Sequence, residues 1–284
     1  MTALVDHSDL LRKLTGGDSG AGELIWAYKH KTLAAGTGIT IAANKPFSYW
    51  TLSGSYDAGA APGGTTRNPT NATTGAVPFT SPGGSRDKWL AAVSMSGFAG
   101  VAIFGMICDR LADISGLSGT SASLQSLSNF STARFTGTSA VGNQIAIEVY
   151  ASIGTTPRTL TVNYTNENGV AQVTTVTVGG AAAWPRATLS WIPVSLAAGD
   201  RGVRSVESVQ LSGSTGTAGD FGVTIYRNVC PFGVSQNGVG GSGLDLMEGP
   251  DALKMVTNAC LFMWTMSTST TFGYIDLGLQ FVES

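Results

Sequence analysis

Charge is scarce in this chain. Only 12% of its 284 residues are Asp, Glu, Lys or Arg, about half the ~25% usual for soluble domains. The formal balance is −2, and the cations nearest to a cluster, Arg12, Lys13, Lys29, Lys31 and Lys45, are scattered. A nucleic-acid partner requires a basic stripe to meet the phosphates, so the sequence argues against one. Cysteine is almost as sparse. Cys108, Cys230 and Cys260 are far apart, without C-x-x-C spacing, and each sits in an apolar segment. That excludes a disulfide scaffold and reads as buried free thiols, in keeping with synthesis in a reducing cytoplasm. With two histidines and no calcium-loop pattern, a zinc or EF-hand site is not expected. No apolar run reaches membrane-spanning length. The N-terminus lacks the basic and apolar regions of a secretory signal, so none is expected.

What replaces charge is Gly, Ser, Thr and Ala, with 38 glycines alone, while the hydrophobic share of 43% is ordinary. A chain this long can bury a large core. A surface so poor in ions suits a protein that covers much of it with neighbours, although a Gly/Thr-rich β domain soluble on its own fits the same numbers.

Along the chain the pattern changes twice. Ser8 followed by Asp9 to Leu14 and then Gly16-Gly17 reads as a short capped helix with a glycine stop, its Leu10, Leu11 and Leu14 on one face. Glu23 to Leu33, which contains Trp26, is a second helix or an extended arm. From Phe47 the grammar is β. Phe47 to Leu52 reads as a strand, and 58 to 84 as a long loop rich in Gly, Pro, Thr and Asn, a length usually functional or mobile. Lys88 to Met95 is a strand or one helical turn. Phe98 to Cys108 is the best candidate for a central strand. Gln144 to Tyr150 and Arg158 to Thr165 follow. The turn at Asn168-Gly169 and the return strand Val173 to Val178 complete a hairpin. Arg186 to Val194, Val203 to Leu211, Phe221 to Val229, Cys260 to Thr265 and Phe272 to Val282 read as further strands. A short helix is expected over Asp251 to Asn258, and a glycine-rich mobile stretch over Gly233 to Gly243. Eight to ten strands joined by turns predict a mainly β fold, an antiparallel sandwich or jelly roll with a short helical or extended N-terminal segment. The expected organisation is an arm over 1–46, a strand and loop packed on the body over 47–97, and a sandwich body over 98–284.

Sequence motifs with a chemical precedent are weak. Gly17-Asp18-Ser19-Gly20 spells a protease-like tetrapeptide, but only His7 and His30 could serve as its base, and a helix-stop linker explains it better. Gly238 to Gly243 fits G-x-G-x-x-G without the strand before and helix after that a dinucleotide fold requires. Asp109, Arg110 and Asp113 read as a salt-bridged strand terminus rather than the carboxylate pair of a glycosidase. Between Ser115 and Gly199 only Glu148 and Glu167 are acidic. Trp26, Trp50, Trp89, Trp184, Trp191 and Trp264 are dispersed, which favours core or interface packing over a sugar platform. No catalytic, cofactor or metal residue is expected, and no enzyme.

Six segments together resemble a family of uncharacterised virion structural proteins of tailed bacteriophages. They are Cys108–Thr120, Gly142–Thr156, Val162–Gly169, Gly199–Val206, Gly213–Thr224 and Asn258–Ser284. These stretches belong to turns and strands, so they specify fold rather than chemistry. The resemblance implies a non-enzymatic virion component made in the host bacterial cytoplasm. It would be a head-associated minor capsid or decoration protein whose partners are the major capsid protein and copies of itself. Tail, neck or baseplate placement and a host-surface glycan-binding module are the alternatives. Leu10, Leu11, Leu14 and Trp26 are the expected assembly contacts, since a helix this short needs an apolar partner surface.

Overall fold

The computed structural model describes residues 23–30, 42–82, 86–98, 102–128, 130–236, 239–240, 254–268, 270 and 274–283. Leu10, Leu11, Leu14, His7 and Ser19 lie outside them. Among the described residues there are fifteen strands and one 3-10 turn, Gly137–Ala140, with every strand pair antiparallel.

Three sheets share these strands. The first runs β1 (Glu23–His30), β15 (Tyr274–Glu283), β3 (Lys88–Phe98), β13 (Lys254–Met255). The second runs β5 (Gln125–Ser126), β10 (Val203–Leu211), β7 (Arg158–Asn166), β8 (Ala171–Val178). The third is the central sheet. Its order is β2 (Phe47–Ser48), β14 (Leu261–Ser267), β4 (Ile103–Leu117), β11 (Asp220–Gln236), β6 (Asn143–Ala151), β9 (Trp191–Val194), and β12 (Val239–Gly240) pairs with β11.

The two long strands, β4 and β11, explain how one central sheet carries two outer sheets. Side chains alternate across a strand, and on one face β4 presents Ile103 and Ile107, then Leu111, Ala112 and Ile114. The first pair joins a core with Leu90, Val93, Leu277, Leu279 and Phe281 of the first sheet. The second group joins a separate core with Leu160, Val162, Val206 and Val209 of the second sheet. The mainly β sandwich read from alternation is therefore present, with two cores side by side over one sheet.

Several local expectations change. The apolar run Phe98 to Cys108 is not one strand: β3 ends at Phe98 in the first sheet, and β4 begins at Ile103 in the central one. Glu23 to His30 is extended and pairs with β15 throughout, Trp26 opposite Gly278. Lys88 to Met95 is strand, not helix. Lys254 and Met255 are strand and a turn follows at Thr257 and Asn258, so the described part of 251–258 is not helical. Trp191 begins the strand expected from Arg186, because Leu189 sits at φ 73 and breaks the extended path. Of 233–243, the residues to Gln236 extend β11, and Val239–Gly240 folds back on it.

Candidate functional site

The opposite face of the central sheet carries the densest ionic chemistry. Arg110, on β4, is fully buried (0% exposed). Its Nε donates to Asp113 Oδ2 at 2.6 Å, and its Nη2 donates to Glu148 Oε2 at 2.7 Å and to the Tyr150 hydroxyl at 2.6 Å. Tyr150 in turn donates to Glu148 Oε2 at 2.7 Å, and Thr224 donates to the same oxygen at 3.3 Å. A bulge makes the cluster. Positions three apart on a regular strand face opposite ways. Here Ile225 and Tyr226 of β11 pair with Ala112 and Arg110, leaving Leu111 as the extra residue. Arg110 and Asp113 thus fall on one face, beside Glu148 and Tyr150 from β6.

Aromatic rings wall the network. The Arg110 guanidinium lies 4.4 Å from the Trp50 ring centroid and 5.3 Å from that of Phe262. Trp191 packs against both Tyr226 and Phe262, at 5.0 and 5.3 Å. Burial opposes the charge of Arg110, but Glu148, Tyr150 and Asp113 outweigh it and hold the guanidinium pKa above its ordinary value. Burial likewise raises the Tyr150 hydroxyl, keeping it neutral.

The Gly/Pro-rich stretch closes this face. Arg67 and Asp113 exchange backbone hydrogen bonds at 2.9 and 3.0 Å, and the Arg67 side chain grips the Asp113 carboxylate through two 2.9 Å contacts. Gly63 accepts from Ser115 N at 2.9 Å. What composition marks as a long loop is thus a strap fastened to β4. Two cations, Arg67 and Arg110, meet two carboxylates, Asp113 and Glu148, so the charges of the network balance. It holds the strap, and both Asp113 oxygens and Glu148 Oε2 accept hydrogen bonds from within the fold. The reading of Asp109, Arg110 and Asp113 as ion-paired is right. Their place is mid-strand rather than at a terminus, since β4 continues to Leu117.

A cleft of about 420 Å³ lies on the other face, where the two cores part. Its floor is Asp109, Arg227 and Asn228, and Phe135, Val229, Met255 and Val256 form apolar walls. Asp109 is 2% exposed and is held by Arg134 through contacts of 2.6 and 3.2 Å, and by Cys260 N at 2.8 Å. Desolvation raises its pKa, with Arg134 pulling the other way. On the rim Lys254 pairs with Asp87 at 2.7 Å and Arg86 with Glu283 at 3.5 Å. Arg227 differs: its Nη1 donates to Ser139 O at 3.2 Å and its guanidinium stacks 4.1 Å from the Phe135 ring centroid, but it has no ion pair among the described residues.

The third feature is an edge. Sheet edges expose unpaired backbone groups, and natural proteins guard them with short strands, charges or proline. The central sheet ends in the two-residue β2 and in β9, which contains Pro193. The first sheet ends in β1, which carries Glu23 and Lys29, and in the two-residue β13. β8 has eight residues, Ala-Gln-Val-Thr-Thr-Val-Thr-Val, and none of these devices. No charged residue lies between Glu167 and Arg186. One face of β8 is exposed along its length, with Val173 at 56% and the adjoining Val170 at 52%.

Of the expected assembly residues, Trp26 alone falls among the described residues, where it pairs with Gly278 in the β1–β15 ladder. Trp50 and Trp191 are at 0% exposure and Trp264 at 9%, so these three serve as core. Residue reading missed the convergence of Glu148 and Tyr150 on Arg110. Their spacing of two on a strand was visible, but the bulge that delivers Asp113 was not. It also missed Arg227 with Phe135, which are 92 positions apart by their numbers and joined only by folding. No protein-family model matches the chain, and no curated protein does. Among solved structures, a chain of the "Structure of infectious bursal disease virus Gt strain" is similar at 8% identity over 93% of this chain and 81% of that one, with a TM-score of 0.20, a likeness too slight to carry an argument.

Proposed function

We propose that the chain is a structural component of a tailed-phage virion, a head-associated minor capsid or decoration protein that acts without catalysis. Its partners in this reading are copies of itself and the major capsid protein. The observation that carries it is the β8 edge. An eight-residue strand free of charge and proline, exposing Val173, is a template for another chain. A protein that stays alone gains nothing from leaving it unguarded. The low charge of the chain agrees, and the segments that resemble virion proteins supply the setting. The ion network adds mechanical sense, because through Arg67 it pins the 58–82 strap to the central sheet. A glycan-binding module would want exposed aromatic faces, whereas Trp50 and Trp191 are sealed.

Peptide mass spectrometry of gradient-purified particles from a host producing the chain tests the assignment. The expected result is the full chain in particles at a fixed ratio to the major capsid protein, the ratio separating head from tail placement. Recovery only in the particle-free fraction would overturn it.

A further inference from the structure

We propose that the cleft between the two cores is a binding site for a single carboxylate carried on an apolar stem, gripped by Arg227. This goes beyond the virion reading and does not depend on it. The cleft volume falls within the range of small-ligand pockets, roughly 300–1,000 Å³. Its lining mixes an apolar wall, Phe135, Val229 and Met255, with charged groups, the usual make-up of a site that orients an amphipathic ligand.

Arg227 is the group without an internal answer. Three cations, Arg86, Arg227 and Lys254, and two carboxylates, Asp87 and Asp109, line the cleft. Lys254 is paired with Asp87, and Arg86 with Glu283 beyond the lining. Asp109 is taken by Arg134. What remains is one positive charge. Burial lowers the Arg227 pKa and Asp109 restores only part of it, so the cation is short of a counterion.

The guanidinium is also held by a ring, with Phe135 stacked on it at 4.1 Å. Ser139 O occupies Nη1. Nε and Nη2 have no hydrogen bond among the described residues, and together they form the fork that grips a carboxylate through two parallel bonds. Phe135 holds this position at φ 53, a conformation rare for a bulky side chain, and such strain collects at ligand clamps. The single positive charge left over matches a monoanion better than a dianion, which favours a carboxylate over a phosphate.

A carboxylate on an apolar stem could be a free organic acid or the terminus of a protein chain. The test follows the Arg227 Nε–H resonance of the isotope-labelled full chain during titration with 3-phenylpropionate, with a short peptide ending in Leu, and with inorganic phosphate. The expected result is a saturable shift with at least one carboxylate probe and a weaker response to phosphate. Saturation by the peptide alone identifies a protein terminus, and by the free acid alone a small molecule. Arg227→Gln should weaken binding about tenfold or more, as expected for loss of a charge-assisted pair, and Arg227→Lys should retain part of it, both with unchanged melting. Three results overturn the proposal: no saturable shift with either carboxylate, equal binding by the folded Arg227→Gln chain, or tighter binding of phosphate than of both carboxylates.

Discussion

The two faces of the central sheet are built by opposite means. One buries aliphatic side chains against two further sheets, and alternation along β7 and β15 supplies the facing surfaces directly. The other buries an arginine, two carboxylates and a wall of aromatic rings beneath a strap without regular structure. The apolar face tolerates loss of any one contact by degree. The ionic face does not, because removing one partner strands the others away from water.

That contrast is sharpest at Arg110. Arg110→Ala should cost about 3–5 kcal/mol, the range for breaking a buried pair, read by denaturant unfolding. The combined change Arg110→Met, Glu148→Gln should cost less than Arg110→Ala alone, since Asp113 keeps Arg67 as its counterion and no charge is left uncompensated. A double variant less stable than the single one would erase the distinction between the faces. On the apolar face, Leu160→Ala should cost about 2–5 kcal/mol through the cavity it leaves, measured in the same way. A smaller effect is expected at the cysteines. Burial raises the Cys108 and Cys260 thiols and pushes Cys230 up to about 11. At pH 8 none should react with a thiol reagent until the protein unfolds, when all three should.

The apolar face was largely legible in the sequence. Leu160, Val162 and Tyr164 alternate, and so do Leu277, Leu279 and Phe281; all six are buried. The Asn168-Gly169 turn closes its hairpin, with Gly169 at φ 81. The ionic face was not, because it depends on where a strand bulges. One extra residue at Leu111 decides whether Asp113 meets Arg110 or the opposite core, and nothing in the run Asp109 to Ile114 marks it. The break between β3 and β4 was hidden for a similar reason. Phe98 to Cys108 is apolar throughout, and periodicity cannot divide a continuous apolar run between two sheets. The β8 edge could be read as a strand but not as an edge, since strand order comes from long-range pairing.

The assembly role proposed for the chain rests on that edge. The direct measurement is sedimentation velocity of the full chain against the variant Val173→Lys, Thr175→Lys across a concentration series, with incorporation into particles followed in parallel. Both positions are exposed, so melting should stay within about 0.5 kcal/mol of the parent. The predicted result is concentration-dependent association of the parent and a folded, monomeric variant that fails to enter particles. A variant that associates and incorporates as the parent does would contradict the assembly role of β8.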